Sequence, residues 1–267
     1  KLVIHAWTTE GCTVLVHVPT FPRYELEANL RGCRVVAVES PSPEKTDLAA
    51  FDAALAREAV ALAFICSPNN PTGENFAIEA IADLATRHAD TIFVVDEALI
   101  NPAEDGAMAL PKRLSNVVVL RTFSKYFGLA GLRIGCAVAD PHLVAVAEVG
   151  RPPFNIAAPS VEAAVAALAD EAFLASCKQT FTAEKDFFIA AMEATPGISI
   201  RGSNANMILM DLAHHAPAAA AEALAAKGLV VADATSFRGL ENHRALRVSL
   251  RGRADNERLV AAIKAIA

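Results

Sequence analysis

Three short polar segments, each directly after an apolar run, contain the residues of this chain that could carry chemistry. The first runs from Ser67 to Gly73 and is rich in Asn and Pro. The second begins at Asp96, and the third contains Lys125 between hydroxyl-bearing and aromatic residues. Side chains that follow parallel strands meet at one edge of the sheet, where ligands bind. The spacing therefore predicts one ligand site that uses all three segments.

Each segment also has an ordinary structural explanation. The composition of residues 67–73 is that of a turn, which could simply connect a strand to a helix or could aim the Asn70 amide at a ligand. Asp96 could cap a helix, or it could face a ligand cation such as a protonated pyridine nitrogen. A buried carboxylate without a cationic partner is costly, so we expect Asp96 to have one.

The third segment, residues 121–135, reads R-T-F-S-K-Y-F-G-L-A-G-L-R-I-G. A lysine after a strand is usually a solvated surface residue, but Lys125 lies among hydroxyls and aromatic rings, with Arg133 eight positions later. Hydroxyl groups and an arginine suit a phosphate. An amine in an apolar site can have a lowered pKa and act as a nucleophile.

In their order and spacing, N-N-P-T-G (69–73), D-E-A (96–98) and S-K-x-x-G-L-A-G-L-R-I-G (124–135) resemble the fold-type I enzymes that use pyridoxal 5′-phosphate (PLP). The chain looks most like histidinol-phosphate aminotransferases and their relatives, the threonine-phosphate decarboxylases. The resemblance runs from about Val14 to the C-terminus. It implies the aspartate aminotransferase fold, an α/β fold with a mostly parallel sheet, helices on both faces and a small C-terminal α+β domain.

The resemblance also implies a role for each matched residue. Lys125 would hold PLP as a Schiff base and move the proton at the substrate α-carbon. Asp96 would pair with the pyridine nitrogen, which makes the ring an electron sink, and Asn70 would bond to the 3′ ring oxygen. Phe21 would stack on the pyridine, although a core phenylalanine explains its position nearly as well. Three residues would hold the cofactor's phosphate: Thr122, Ser124 and Arg133.

Two arginines near the C-terminus are the candidate substrate-binding residues. Arg247 lies in a predicted strand, where it could be a strand-edge charge. The family suggests instead a bidentate clamp on the substrate α-carboxylate, which we favour because such a clamp aligns the α-carbon bond that must break. Arg251 would share a strand face with Arg247 and could bind a second anion, a pattern that looks decarboxylase-like.

The chain departs from the family pattern in three places. The Gly-rich phosphate loop expected ahead of Val14 is not in this chain, which opens on Lys1, so either an upstream segment exists or the homologue is shortened. Leu99 stands where many aminotransferases have a tyrosine that bonds to the ring oxygen, which tilts the resemblance toward the decarboxylases. Ala232 stands where both groups carry an arginine for a substrate phosphate, so phosphorylation of the substrate stays open.

Alternating strands and helices must position these residues. Several of the apolar runs are apolar at consecutive positions, as strands buried on both faces are, and the alternation predicts an α/β domain with a largely parallel sheet. The predicted strands are Val14–Val18, Val35–Val38, Leu62–Cys66, Ile92–Val95, Val117–Leu120 and Gly135–Val138. The predicted helices are Lys1–Trp7 (the end of a helix), Tyr24–Arg31, Leu48–Glu58, Ile78–Arg87 and Pro141–Val149.

The second half of the chain predicts a smaller α+β layer. An Ala-rich helical stretch covers Pro159 to about Ala194, and Pro196–Gly197 ends it. The following elements are a strand at Met207–Leu212, a helix at Pro217–Lys227, a strand pair at Leu229–Ala232 and Leu246–Leu250, and a helix from about Asp255. We therefore expect a large PLP-binding domain over residues 1–165 and a small domain over residues 166–267.

Composition narrows the function classes. Hydrophobic residues make up 54% of the 267 residues and the net charge is −6, which argues against disorder and against a nucleic-acid footprint. No apolar run approaches the roughly eighteen residues that a membrane span needs. The five cysteines show no C-x-x-C pair, so we expect neither a disulfide framework nor a metal site. We therefore expect the protein to be located in a reducing cytoplasm.

We therefore predict a PLP-dependent aminotransferase that acts on an α-amino acid and a 2-oxo acid. The alternative is a PLP-dependent decarboxylase, in which the substrate carboxylate leaves and Lys125 returns the proton. A non-catalytic PLP-binding sensor or an inactive truncated homologue is a further alternative. The resemblance implies a homodimer.

Overall fold

A six-stranded sheet forms the larger part of the protein, which is described here by a computed structural model covering residues 1–266. The strand order is β2-β1-β3-β4-β5-β6, in which the first five strands are parallel and β6 is antiparallel to β5. The strands are β1 (Thr13–Val18), β2 (Arg34–Glu39), β3 (Val60–Cys66), β4 (Ile92–Asp96), β5 (Val117–Thr122) and β6 (Gly135–Ala139). All six predicted strands and the largely parallel α/β architecture are confirmed.

The central strands are buried on both faces, as their continuous apolar runs predicted. In β1, Val14 and Val16 pack into one hydrophobic cluster, whereas Leu15 packs into another on the opposite face. All three side chains are fully buried. Because successive strand residues point to opposite faces, an unbroken apolar run is the pattern that two-sided burial requires.

Helices cover the sheet and carry recognisable end signals. They are α1 (Leu2–Trp7), α2 (Arg23–Leu30), α3 (Leu48–Arg57), α4 (Ile78–Arg87) and α5 (Pro141–Val149). Asp47 caps α3 by accepting a hydrogen bond from the Ala50 N–H, and Asp140 does the same for the His142 N–H at the start of α5. Such caps satisfy backbone donors that the first helical turn leaves unpaired.

The Ala-rich stretch that follows is two helices rather than one. Helix α6 (Ala158–Ala169) ends at Asp170, whose carboxylate accepts from the Phe173 N–H and caps α7 (Glu171–Glu193). The predicted domain boundary at residues 165 and 166 falls inside α6. Within residues 1–266 no helix has the length and apolarity that crossing a membrane requires.

A second, antiparallel sheet packs against α7 and the last helix. Its strand order is β7-β8-β10-β9. The elements are β7 (Ile198–Ile200), β8 (Met207–Leu212), α8 (Pro217–Ala225), β9 (Ala232–Asp233), β10 (Ala245–Ser249) and α9 (Arg253–Lys264). Strand β9 is shorter than the strand predicted at 229–232 and begins at Ala232, the last residue of that prediction. The three-residue strand β7 was not predicted. A separate cluster that includes Phe188, Ile208 and Leu246 forms the core of this layer.

Candidate active site

The carboxyl ends of three neighbouring strands bring the three polar segments together. In the parallel register, Cys66 of β3 pairs with Asp96 of β4, and Asp96 pairs with Leu120 of β5. The turn after Cys66, the Asp96 carboxylate and the segment after β5 therefore leave the sheet side by side. This is the edge at which ligands bind to open α/β sheets.

Asp96 is held by hydrogen bonds and not by an ion pair. One carboxylate oxygen accepts from the Tyr24 hydroxyl at 2.6 Å, and the other accepts from the Ala98 N–H at 3.0 Å. Burial raises the pKa of Asp96, and these two donors together with the charge of Lys125 act in the opposite direction. The cation that we expected to pair directly with Asp96 is not found within residues 1–266.

A cavity of about 340 Å³ opens beside Asp96 and has aromatic walls. Phe21 and Tyr24 line it together with Phe64, and the Phe21 and Tyr24 rings meet edge to face with centroids 5.6 Å apart. Phe21 is 37% exposed, so it is not the core phenylalanine that its position after a strand also allowed. The ring is available to a planar ligand.

The turn that carries Asn70 is fixed by its neighbour Asn69. The Asn69 amide accepts from the Thr20 hydroxyl at 2.8 Å and donates to the Pro19 carbonyl at 2.9 Å. Gly73 closes the turn at a φ of 71°, and its carbonyl accepts from the Asn204 N–H at 2.9 Å. The turn is thus anchored to both sheets, which holds Asn70 in place.

Arg247 projects from β10 toward the same turn. Its Nη1 donates to the Asn70 side-chain oxygen at 2.8 Å, and its guanidinium lies over the Phe237 ring at 5.6 Å. Burial lowers the pKa of Arg247, and its Nε is buried without a hydrogen-bond partner in the described part of the chain. A half-buried guanidinium with an unused donor suits an anionic ligand group.

The predicted phosphate residues lie at the end of β5 and before β6. The Thr122 hydroxyl accepts from the Ser124 N–H at 3.1 Å, which folds the two hydroxyl residues toward each other. Arg133 has a φ of 51°, and its exposed side chain donates to the Ala130 carbonyl at 2.8 Å. A non-glycine residue in the left-handed region stores local strain, which is common at functional sites.

Lys125 does not line the cavity beside Asp96. Its side chain is exposed and lines a second cavity of about 320 Å³, together with Tyr126 and Cys177. Its positive charge contributes to holding down the pKa of Asp96.

Leu99 and Ala232, at which the sequence departs from its family pattern, and the candidate substrate residue Arg251 differ in their surroundings. Leu99 is buried against Ala205 and Met207. Ala232 pairs directly with Arg247 across β9 and β10. Arg251 lies beyond the end of β10, so strand alternation does not place it beside Arg247. Its exposed side chain forms an ion pair with Asp255 instead.

The residue that sequence reasoning missed is Tyr24. It lies three residues after Phe21, in P-T-F-P-R-Y, and its hydroxyl reaches a carboxylate 72 positions away in sequence. A helical spacing of three residues between two aromatic side chains was the available signal.

Comparisons with known proteins identify the family of this chain. The family model described as aminotransferase class I and II matches residues 1–265. The chain is 32% identical over 253 residues to histidinol-phosphate aminotransferase 2 of Archaeoglobus fulgidus, covering 95% of this chain and 70% of that protein.

Solved structures share the fold. The histidinol-phosphate aminotransferase of Clostridium acetobutylicum superposes with a TM-score of 0.91 at 22% identity, over 99% of this chain and 79% of that one. The L-threonine-O-3-phosphate decarboxylase of Porphyromonas gingivalis superposes with a TM-score of 0.83 at 24% identity, over 99% of this chain and 80% of that one. The Sinorhizobium meliloti histidinol-phosphate aminotransferase was solved in complex with pyridoxal-5′-phosphate. It superposes with a TM-score of 0.88 at 24% identity, over 100% of this chain and 74% of that one. With the match of the family model, the chain belongs to the class I and II aminotransferases, enzymes that depend on PLP.

Proposed function

We propose that this enzyme transfers the amino group of an α-amino acid to a 2-oxo acid, with a substrate preference like that of the histidinol-phosphate aminotransferases. The observation that carries the proposal is Asp96, a partly buried carboxylate at the carboxyl end of its strand, which lines a cavity whose walls include three aromatic rings. The A. fulgidus relative, named for this activity, supports the proposed substrate class.

The candidate site residues, of which Phe21 and Asp96 line the cavity, fit PLP in their chemistry. A partly buried carboxylate with a raised pKa and no ion-pair partner in residues 1–266 suits a protonated pyridine nitrogen. Because the Asn70 oxygen accepts from Arg247, its amide N–H₂ is left to donate to the ring oxygen. Phe21 would stack on the ring, and Thr122, Ser124 and Arg133 would hold the phosphate. When bound, PLP supplies an electron sink for the electron pair left at the substrate α-carbon.

The chain's own residues would then bind the substrate and move its proton. Lys125 would hold the cofactor covalently, and its amine, once released by the substrate amine, would accept the α-proton and return it. Arg247 would bind the substrate carboxylate through two parallel hydrogen bonds. That fixes which α-carbon bond is oriented for cleavage.

One observation keeps decarboxylation as a second candidate. Leu99 is buried among apolar side chains, so no hydroxyl donor reaches the ring oxygen from this position. Ala232 bears on both candidates equally, because it supplies no charge opposite Arg247, so a phosphate on either substrate would depend on Arg238 or Arg251. Of these, Arg238 is paired with Glu25 and Glu39.

Absorbance and product analysis test the proposal. Wild-type protein with added PLP should develop the visible absorbance band of a PLP–lysine Schiff base, and Lys125→Met should not, while Lys178→Met, on the exposed surface of α7, serves as the control. Addition of candidate amino acids should yield a keto acid without carbon dioxide. Carbon dioxide would identify the decarboxylase instead, and absence of the band in wild-type protein would remove both assignments.

We further propose a cytoplasmic homodimer built from a large domain (1–165) and a small domain (166–267). Five free cysteines support a reducing compartment. An exposed apolar stripe on α6, formed by Val161, Val165 and Leu168, supports self-association. Light scattering on the purified protein tests the dimer, and a monomer at micromolar concentration would contradict it.

A further inference from the structure

Tyr24 is fixed in place by its ring and directs its hydroxyl at Asp96. The ring stacks on Phe64 with centroids 4.4 Å apart and planes 11° from parallel, and its edge meets Phe21. The side chain is 6% exposed. Its hydroxyl lies 2.6 Å from the Asp96 oxygen, a distance typical of a hydrogen bond to an ionised acceptor.

We propose that Tyr24 is a positioning residue that keeps Asp96 ionised and oriented toward the cofactor ring. The inference rests on the proposed role of Asp96. Burial favours the neutral acid, whereas a hydroxyl that donates to the carboxylate favours the charged form. Each carboxylate oxygen accepts about two hydrogen bonds, so Asp96 retains a lone pair for the ring nitrogen after accepting from Tyr24 and Ala98.

Tyr24 would control whether Asp96 or the ring nitrogen holds the proton that they share. With the hydroxyl present, the ion pair of carboxylate and pyridinium is favoured. Without it, the carboxylate becomes a stronger base and the proton shifts toward Asp96. A neutral ring withdraws electrons less effectively from the substrate α-carbon. Neighbouring Cys66 does not compete as an anion, because burial raises the pKa of its thiol to about 12.

The test is Tyr24→Phe, which keeps the stacked ring and removes only the hydroxyl. We expect the Kd for PLP to rise about tenfold, as the loss of a hydrogen bond to a charged group predicts. With PLP labelled with ¹⁵N in its ring, we expect the ring-nitrogen shift to move toward that of neutral pyridine. Thr86→Val is the control, since it also removes a single hydroxyl, one that donates to the Ala82 carbonyl within α4, and it should leave the Kd for PLP unchanged.

Repeating the substitution in an Asp96→Ala protein tests whether Tyr24 acts through Asp96 or whether its loss simply disturbs the structure. In an Asp96→Ala protein, Tyr24→Phe should change the PLP Kd by less than about twofold, because the acceptor is already gone. If Tyr24→Phe fails to fold, the hydroxyl proton of unsubstituted Tyr24 can be followed by NMR. It should resonate downfield in wild-type protein and lose that shift in Asp96→Ala.

The outcomes distinguish the inference from the function on which it rests. A Tyr24→Phe protein with the wild-type Kd and the wild-type ¹⁵N shift would overturn the role of Tyr24 while leaving the enzyme assignment intact. An equal loss of PLP affinity in both backgrounds would also overturn it, because the hydroxyl would then act independently of Asp96. Wild-type protein that binds no PLP would overturn both the inference and the proposed function.

Discussion

Replacement of Arg247 by lysine should weaken substrate binding and leave cofactor binding unchanged. Arg247 donates from Nη1 to Asn70 and lies over Phe237, while its Nε is buried without a partner in the described residues. This arrangement leaves the Nε–Nη2 edge to form a two-pronged contact with a carboxylate. Lysine carries a single compact charge and cannot form that fork.

The size of the effect follows from the contact that is lost. One of two charge-assisted hydrogen bonds disappears, which is worth about 1.5–3 kcal/mol, or roughly a 10- to 100-fold change in binding. We therefore expect KM for the amino acid to rise by about that factor. The positive charge is kept, so Asn70 retains an electrostatic partner and the PLP Kd should change by less than about twofold.

Titration of the PLP-loaded enzyme with amino acid, followed by absorbance, measures substrate binding directly. Arg244→Lys is the matched control, because Arg244 is exposed near the start of the same strand and donates to the Ala213 carbonyl. It should leave KM unchanged. An Arg247→Lys enzyme with the wild-type KM would refute the clamp, and a parallel loss of PLP affinity would show that Arg247 acts on the cofactor site as a whole.

Two further predictions concern stability. Gly73→Ala should lower the free energy of unfolding by about 3 kcal/mol, because a Cβ would lie 2.1 Å from the Ser203 Oγ and φ is positive. Gly11 also has a positive φ, but an added Cβ would have no atom within 4 Å, so Gly11→Ala should lower the free energy of unfolding by only about 1 kcal/mol. Equal losses of stability for the two variants in urea unfolding would contradict the clash at Gly73. Burial lowers the pKa of His17 from 6.5 to about 4. The neutral ring is therefore favoured in the folded chain, and about 3 kcal/mol of stability should be lost as the pH falls from about 6.5 to 4. Relative to His17→Leu, wild type should lose about that much stability between pH 6.5 and pH 4. A stability difference that stays constant with pH would exclude His17 as the titrating group.

The elements with strong local signals were predictable from sequence, and those decided by distant contacts were not. Asp96 could be placed at a strand end because an apolar run precedes it. Its bond to Tyr24 could not be predicted, because no local pattern links residues 72 positions apart. The helix break at Asp170 did have a signal, a capping aspartate, which the uniform Ala-rich composition on both sides obscured. Strand β7 has only three residues, too few for an alternation pattern to register.

The two charged groups that face the proposed ligand are each held in an unfavourable environment. Burial raises the pKa of Asp96 and lowers that of Arg247, so folding works against the charged form of both side chains. The protein maintains these charges through the Tyr24 hydroxyl on one side and the Asn70 oxygen on the other. Buried charges of this kind are more often functional than stabilising, because packed apolar side chains would serve the fold better. In the proposed function, a pyridinium beside Asp96 and a carboxylate beside Arg247 would each offset that cost, so the opposite signs of the two groups would set the orientation of cofactor and substrate in the site.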